Sequence, residues 1–244
     1  MGRAAWAVRY KLTYNMKMDS GSNNPQTDSP LQNLSRRRFL QFAGGVAGVG
    51  MVVASAESCR KTPPDTQFIG RGDTGLLNFL YIVEQVLTQF YTQANNTPYY
   101  GLTASEMQLL ADQREHQYAH RELLKKVLGD TAITGKLVVD LSPVTFADRN
   151  STLTNAIFLE DLAVAAYNGV ARHFSDTNYV LTVAKMATVQ ARHAAYARDI
   201  LTANTFSDTN IISVNGLDRA LTPQQVMAAL APYIQTKLDY TTLP

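Results

Sequence analysis

Four stretches of this chain carry apolar residues at heptad spacing, and each turns polar near its middle. The first gives Leu80, Glu84, Leu87 and Tyr91. The second gives Leu110, Gln113, Gln117, His120, Leu124 and Val127. The third gives Ile157, Glu160, Val164, Tyr167 and Ala171, and the fourth Val183, Met186, Gln190, His193, Ala197 and Ile200. Helices with such stripes must pack with the stripes inward. Glu84 and Glu160 are thereby carried into the interior, where an unpartnered carboxylate costs several kcal/mol or takes up a proton.

The periodicity predicts helices over about 74–94, 104–128, 154–174 and 178–203, with a shorter one over about 222–231. Asp73 is a plausible cap for the first. Thr103 to Glu106 reads as a capping box for the second, with Gly129 as its stop. Asp176 or Thr177 caps the fourth, and Thr222-Pro223 opens the fifth. The first–second and third–fourth connections are short, so each pair is an antiparallel hairpin. Residues 130–153 form a long connection between hairpins, with room for a short strand pair. The expected fold is an all-α four-helix bundle with one long crossover and a short C-terminal helix.

The polar layer repeats. Glu84 and Tyr91 share the spacing of Glu160 and Tyr167, while Gln117 and His120 share that of Gln190 and His193. The hairpins read as halves related by a pseudo-twofold axis. Residues three apart present side by side on a helix.

Carboxylate helices alternating with helices of Glu-x-x-His type make the ligand set of ferritin-like di-iron proteins. Residues 117–124 and 158–169, together with 221–233, resemble the exported ferritin-like domain family that includes plant desiccation-related proteins. The resemblance covers roughly residues 73–235. It implies Glu84 and Glu160 as single-carboxylate metal ligands and His120 and His193 as histidine ligands. The implied cofactor is iron or another divalent metal, as one or two ions. Ferroxidase-like or peroxide-reactive chemistry would follow from open-coordination iron.

The chain departs from that pattern at Gln117 and Gln190, which occupy both Glu positions of the paired motifs. Two ferrous ions carry four positive charges, and two carboxylates neutralise only half of them. A neutral amide is a weak ligand for hard ferric iron. Two readings stay open: a site adapted to one metal on two Glu and two His, or a metal-free core in which Glu–His pairs and Gln amides satisfy one another. Gln117, Gln190, Tyr91 and Tyr167 are then weak ligands or supports. Tyr118 and Tyr196 are also expected near the layer, as aromatic fillers. His116 reads as an exposed helix-face residue, His173 as a cation near a helix C-terminus, and Asp161 as solvent-facing or a supporting partner.

Ahead of the bundle, residues 35–41 read Ser-Arg-Arg-Arg-Phe-Leu-Gln, followed by a glycine-rich apolar stretch. Arg36, Arg37, Phe39 and Leu40 resemble a twin-arginine export signal. The chain divides into a leader (1–59), a tether (60–72), the bundle (73–235) and a tail (236–244). Residues 1–15 have no signal character, and Met16 or Met18 fits a natural start. Ala54-Ser55-Ala56 suits cleavage before Glu57, whereas Cys59, the only cysteine, suits lipidation as a membrane tether. The expected location is the periplasm or cell envelope, with the twin-arginine machinery as a partner.

Charge fits this division. Seven of the 22 Lys/Arg but only three of the 20 Asp/Glu fall in residues 1–59, so the remainder is net −2. No basic patch points to nucleic acid. Beyond residue 60 no apolar run reaches the roughly 18 residues of a membrane span. The pattern leaves a homo-oligomer open, along with a metal-free structural or desiccation-related role as the alternative to metal binding.

Overall fold

The computed structural model describes residues 65–133, 137–207 and 210–244. The leader, including Arg36, Arg37, Phe39, Leu40 and Cys59, lies outside them. Chain order is strand β1 (Thr66–Phe68), α1 (Gly72–Asn96), α2 (Ala104–Leu128), α3 (Arg149–Ala171), α4 (Thr177–Leu201), α5 (Pro223–Leu230) and β2 (Lys237–Asp239). Single 3-10 turns follow α2 and α5. The α1–α2 and α3–α4 hairpins form the four-helix bundle, and residues 129–148 are its one long crossover.

Local chemistry sets most boundaries. The Thr103 hydroxyl accepts from the Glu106 amide while the Glu106 carboxylate accepts from the Thr103 amide, closing the capping box that starts α2. Gly129 ends it at φ 54°. Asp148 caps α3 by accepting from the Ser151 amide at 2.6 Å, so this helix starts five residues before the expected Thr154. Asp176 caps α4, and Thr222 caps α5 with Pro223 in its first turn.

Asp73 departs from its expected role. Arg71 occupies the cap position of α1 without a side-chain hydrogen bond. The Asp73 carboxylate instead accepts from the Ser175 and Asp176 amides at 2.8 and 3.0 Å, tying the start of α1 to the α3–α4 turn. Residues 66–68, expected in a tether, pair in parallel with residues 237–239, expected in a tail. The crossover holds only a bridge from Val139 to Ile234 among the described residues.

Asn78 on α1 donates to the carbonyls of Ile69 and Thr131 and accepts from the Ile133 amide. One buried side chain thus fixes both the approach to α1 and the start of the crossover. The helices are not equivalent. α1 and α3 are buried over most of their circumference, whereas α2 and α4 each keep a broad exposed face and meet one another mainly through a few polar side chains. No helix among the described residues is long and apolar enough to cross a membrane.

Two sites test this packing. The segment before α5 crosses α3 at Gly169, where an added Cβ would overlap the Leu221 carbonyl. Gly169→Ala should destabilise the protein by about 3 kcal/mol, read from the urea midpoint. At the other end, Arg149 donates to Glu106 and to the Ile200 carbonyl, both at 2.6 Å, joining α2, α3 and α4. Burial alone would raise Glu106, but hydrogen bonds from Thr103 and Arg149 outweigh it and hold the carboxyl below its ordinary 4.5. A depressed carboxylate stabilises the fold above the unfolded value, and that contribution is lost as pH falls through the folded one. The melting temperature of the wild type should therefore fall more steeply below about pH 4.5 than that of Glu106→Gln.

Candidate functional site

The sequence stripes converge on one interior layer. Glu84 on α1 and Glu160 on α3 are fully buried, as are Gln117 on α2 and Gln190 on α4. His193 is buried, and the His120 side chain keeps 12% of its surface exposed. Each carboxylate faces one imidazole. His120 Nδ1 lies 3.6 Å from Glu84 Oε1, and His193 Nδ1 lies 3.3 Å from Glu160 Oε1. Burial alone would lower His120, but the Glu84 charge outweighs it and raises the imidazole above its ordinary value.

Between these pairs the two glutamines form a reciprocal amide pair. Gln117 Nε2 donates to Gln190 Oε1 at 2.8 Å, and Gln190 Nε2 donates back to Gln117 Oε1 at 2.9 Å. The second hydrogen on each nitrogen goes to a carboxylate. Gln117 donates to Glu160 Oε1 at 2.8 Å, and Gln190 to Glu84 Oε1 at 2.9 Å. A continuous chain of hydrogen bonds thus runs from Glu84 through both amides to Glu160, crossing all four helices.

The tyrosines break the symmetry. Tyr167 donates to Glu84 Oε1 at 2.5 Å. Tyr91 occupies the matching place beside Glu160, where its hydroxyl interacts with that carboxylate at longer range than a direct hydrogen bond. Burial first, then the adjacent carboxylate, raises both phenols well above their ordinary value, so both are protonated. Tyr118 and Tyr196, expected near the layer as fillers, are instead half exposed.

A model of the ferritin-like domain matches residues 72–203, more than half of the chain. The chain belongs to the ferritin-like family. Comparison with curated proteins gives no match. The family's fold invites a test of whether the layer suits a di-metal centre. Such a centre needs acidic oxygens from all four helices. In this ferritin-like bundle α2 and α4 offer amides whose N–H groups point at the two remaining carboxylates. Gln117 Oε1 and Gln190 Oε1 are each already engaged by the other amide. Among the described residues no three His, Cys, Asp or Glu side chains converge closely enough to hold an ion. The donor set does not fit a di-metal centre.

The layer nonetheless keeps unpartnered polar atoms: Glu84 Oε2, Glu160 Oε2 and His120 Nδ1. The structure therefore brings each Glu together with one His, and the two pairs with the amides, but not all four metal-ligand candidates around one point. Sequence reasoning placed His116 on an exposed face. It is exposed, yet its Nδ1 lies 3.0 Å from His193 Nε2, with the rings nearly parallel. Its position one turn before His120 was the available signal. Asp161 pairs with Arg198, itself buried, so it serves α3–α4 packing.

The asymmetry gives a direct test. Tyr167→Phe removes a hydrogen bond to a buried carboxylate and should cost about 2 kcal/mol. Tyr91→Phe removes only the longer contact with Glu160 and should cost less than Tyr167→Phe, both read by chemical denaturation.

Proposed function

We propose that this ferritin-like protein is an exported, non-enzymatic component of the cell envelope with a structural or stress-protective role. Its interior layer is held by hydrogen bonds where the family pattern has a di-metal centre. The observation that carries this reading is the reciprocal Gln117–Gln190 amide pair. It takes the place of two ligand carboxylates and donates one N–H to each of the remaining two, so the layer is tied across all four helices by the protein's own side chains. The export part rests on Arg36, Arg37, Phe39 and Leu40, with Cys59 as the candidate lipid tether. A relation to desiccation-related proteins, and a protective role, rest on the sequence resemblance alone.

A second reading is one ferrous or manganous ion on the Glu84–His120 half. It is favoured by Glu84 Oε2 and His120 Nδ1, buried atoms without a hydrogen-bond partner. One carboxylate and one imidazole would hold such an ion through lone pairs, and it would supply redox or Lewis-acid chemistry.

Metal content separates the two. The protein is purified without chelators, offered Fe²⁺ or Mn²⁺ anaerobically, and analysed by mass spectrometry. Under the first reading the wild type retains neither, and Gln117→Glu/Gln190→Glu gains both carboxylates and binds. Retention of an ion by the wild type, lost in Glu84→Ala, would replace the first reading with the second. Export is checked separately: Arg36→Lys/Arg37→Lys should leave the precursor in the cytoplasm.

A further inference from the structure

Between α2 and α4, outside the amide pair, the helices leave a cavity of about 390 Å³. Pockets that take small organic molecules run from roughly 300 to 1,000 Å³. The wall is mostly apolar and includes Leu109 and Val189, and its exposed polar groups fall into two sets, one from each helix.

α2 contributes acceptors. Asp112 and His116 stand one turn apart on the same helix face, and both are exposed. The Asp112 carboxylate accepts from Gln108 at 2.7 Å and keeps further lone pairs. The tautomer of His116 follows from the groups behind it. Both hydrogens of Gln117 Nε2 go to Glu160 and Gln190, so His193 Nδ1 carries its own hydrogen, facing Glu160 Oε1 at 3.3 Å. His193 Nε2 is then an acceptor, and it takes the hydrogen of His116 Nδ1 at 3.0 Å. Burial and the neighbouring His193 and His120 lower His116 and keep it neutral. Its Nε2 is therefore left with a lone pair.

α4 contributes donors. Arg192 and Tyr196 are again one turn apart and border the same cavity. The Arg192 guanidinium is exposed, with no hydrogen-bond or ion-pair partner among the described residues. Tyr196 is half exposed. Because His116 meets His193 across the gap, the acceptor pair and the donor pair lie at the same height on the bundle. None of the four belongs to the internal repeat. The positions that match Asp112, His116, Arg192 and Tyr196 across the pseudo-twofold are Lys185, Val189, Ala119 and Leu123.

The geometry points to this cavity as a binding site for a small zwitterion with an apolar body, a free amino acid or a dipeptide. Its ammonium is held by Asp112 and His116 on α2, its carboxylate by Arg192 and Tyr196 on α4, and its apolar body by Leu109 and Val189. An acceptor wall facing a donor wall selects a molecule that carries both charges over one that carries either alone. The site uses no group of the amide pair or of the two buried carboxylates, so it stands under either reading of the internal layer.

The test is calorimetric titration of the untagged full chain with L-leucine and with leucyl-leucine. Two further probes are 4-methylpentanoate, which lacks the ammonium, and leucinol, which lacks the carboxylate. The wild type should bind at least one zwitterion about 10-fold or more tighter than either single-charge probe. The tighter of the two zwitterions identifies the source as free amino acid or peptide. Asp112→Ala and Arg192→Ala, both changes at exposed positions, should each weaken binding about 10-fold or more with the circular dichroism unchanged. Lys126→Ala, exposed on the same bundle but away from the cavity, should bind as the wild type does. No binding of either zwitterion by the wild type would overturn the site. So would equal binding of 4-methylpentanoate or leucinol, or undiminished binding by Asp112→Ala and Arg192→Ala.

Discussion

Two carboxylates sealed inside a bundle determine much of this protein. Glu84 and Glu160 have no exposed surface, so their charge must be met by groups that arrive with the fold. Each accepts an amide N–H and lies beside an imidazole, and Glu84 also accepts from a phenol. Because these partners sit on different helices, the layer is satisfied at only one axial register of the four. A slide of one helix by a turn would strand a carboxylate opposite apolar side chains. The apolar stripes supply the drive to pack, and the polar layer selects which packing.

The division of labour among helices follows. The carboxylates ride on α1 and α3, which are wrapped by neighbours on most sides. The amide and imidazole residues ride on α2 and α4, which keep broad faces to solvent and join each other through these side chains. The polar layer is therefore dry at its acidic edge and approachable at its histidine edge. The pseudo-twofold holds for the inner layer and fails one step outward, where Val189 stands in the position that matches His116 and where Tyr167 bonds its carboxylate more closely than Tyr91 does.

Much of this was legible in the sequence. Heptad spacing and the polar interruption placed all four helices, and the repeated Glu–Tyr and Gln–His spacings placed the layer. Thr103, Asp176 and Thr222 announced their caps through local chemistry. The misses have long-range causes. Asp73 looked like a cap because its best partners, the Ser175 and Asp176 amides, lie about a hundred residues away. The strands at 66–68 and 237–239 are three residues each, too short for a period-two signal, and they form because they meet. Gln117 and Gln190 could be seen to replace carboxylates, and amides satisfying the core was one of two open readings, but the reciprocal bond between them could not be fixed. That depends on a helix-to-helix distance no spacing encodes. His116 was judged from its own helix face, when its partner sits on α4.

The pairing of β1 with β2 carries a consequence for the order of assembly. Residue 66 has its partner at 237, and both helical hairpins intervene. Each hairpin can close on local contacts while the chain is still growing, but the strand that seals the start of α1 waits for residues 237–239 to be made. Closure of such a distant pair is the slow, late event in folding. Until then Gly75 and the first turn of α1 lack the cover that Leu243 provides, so the nascent protein carries an open seam along its best-buried helix.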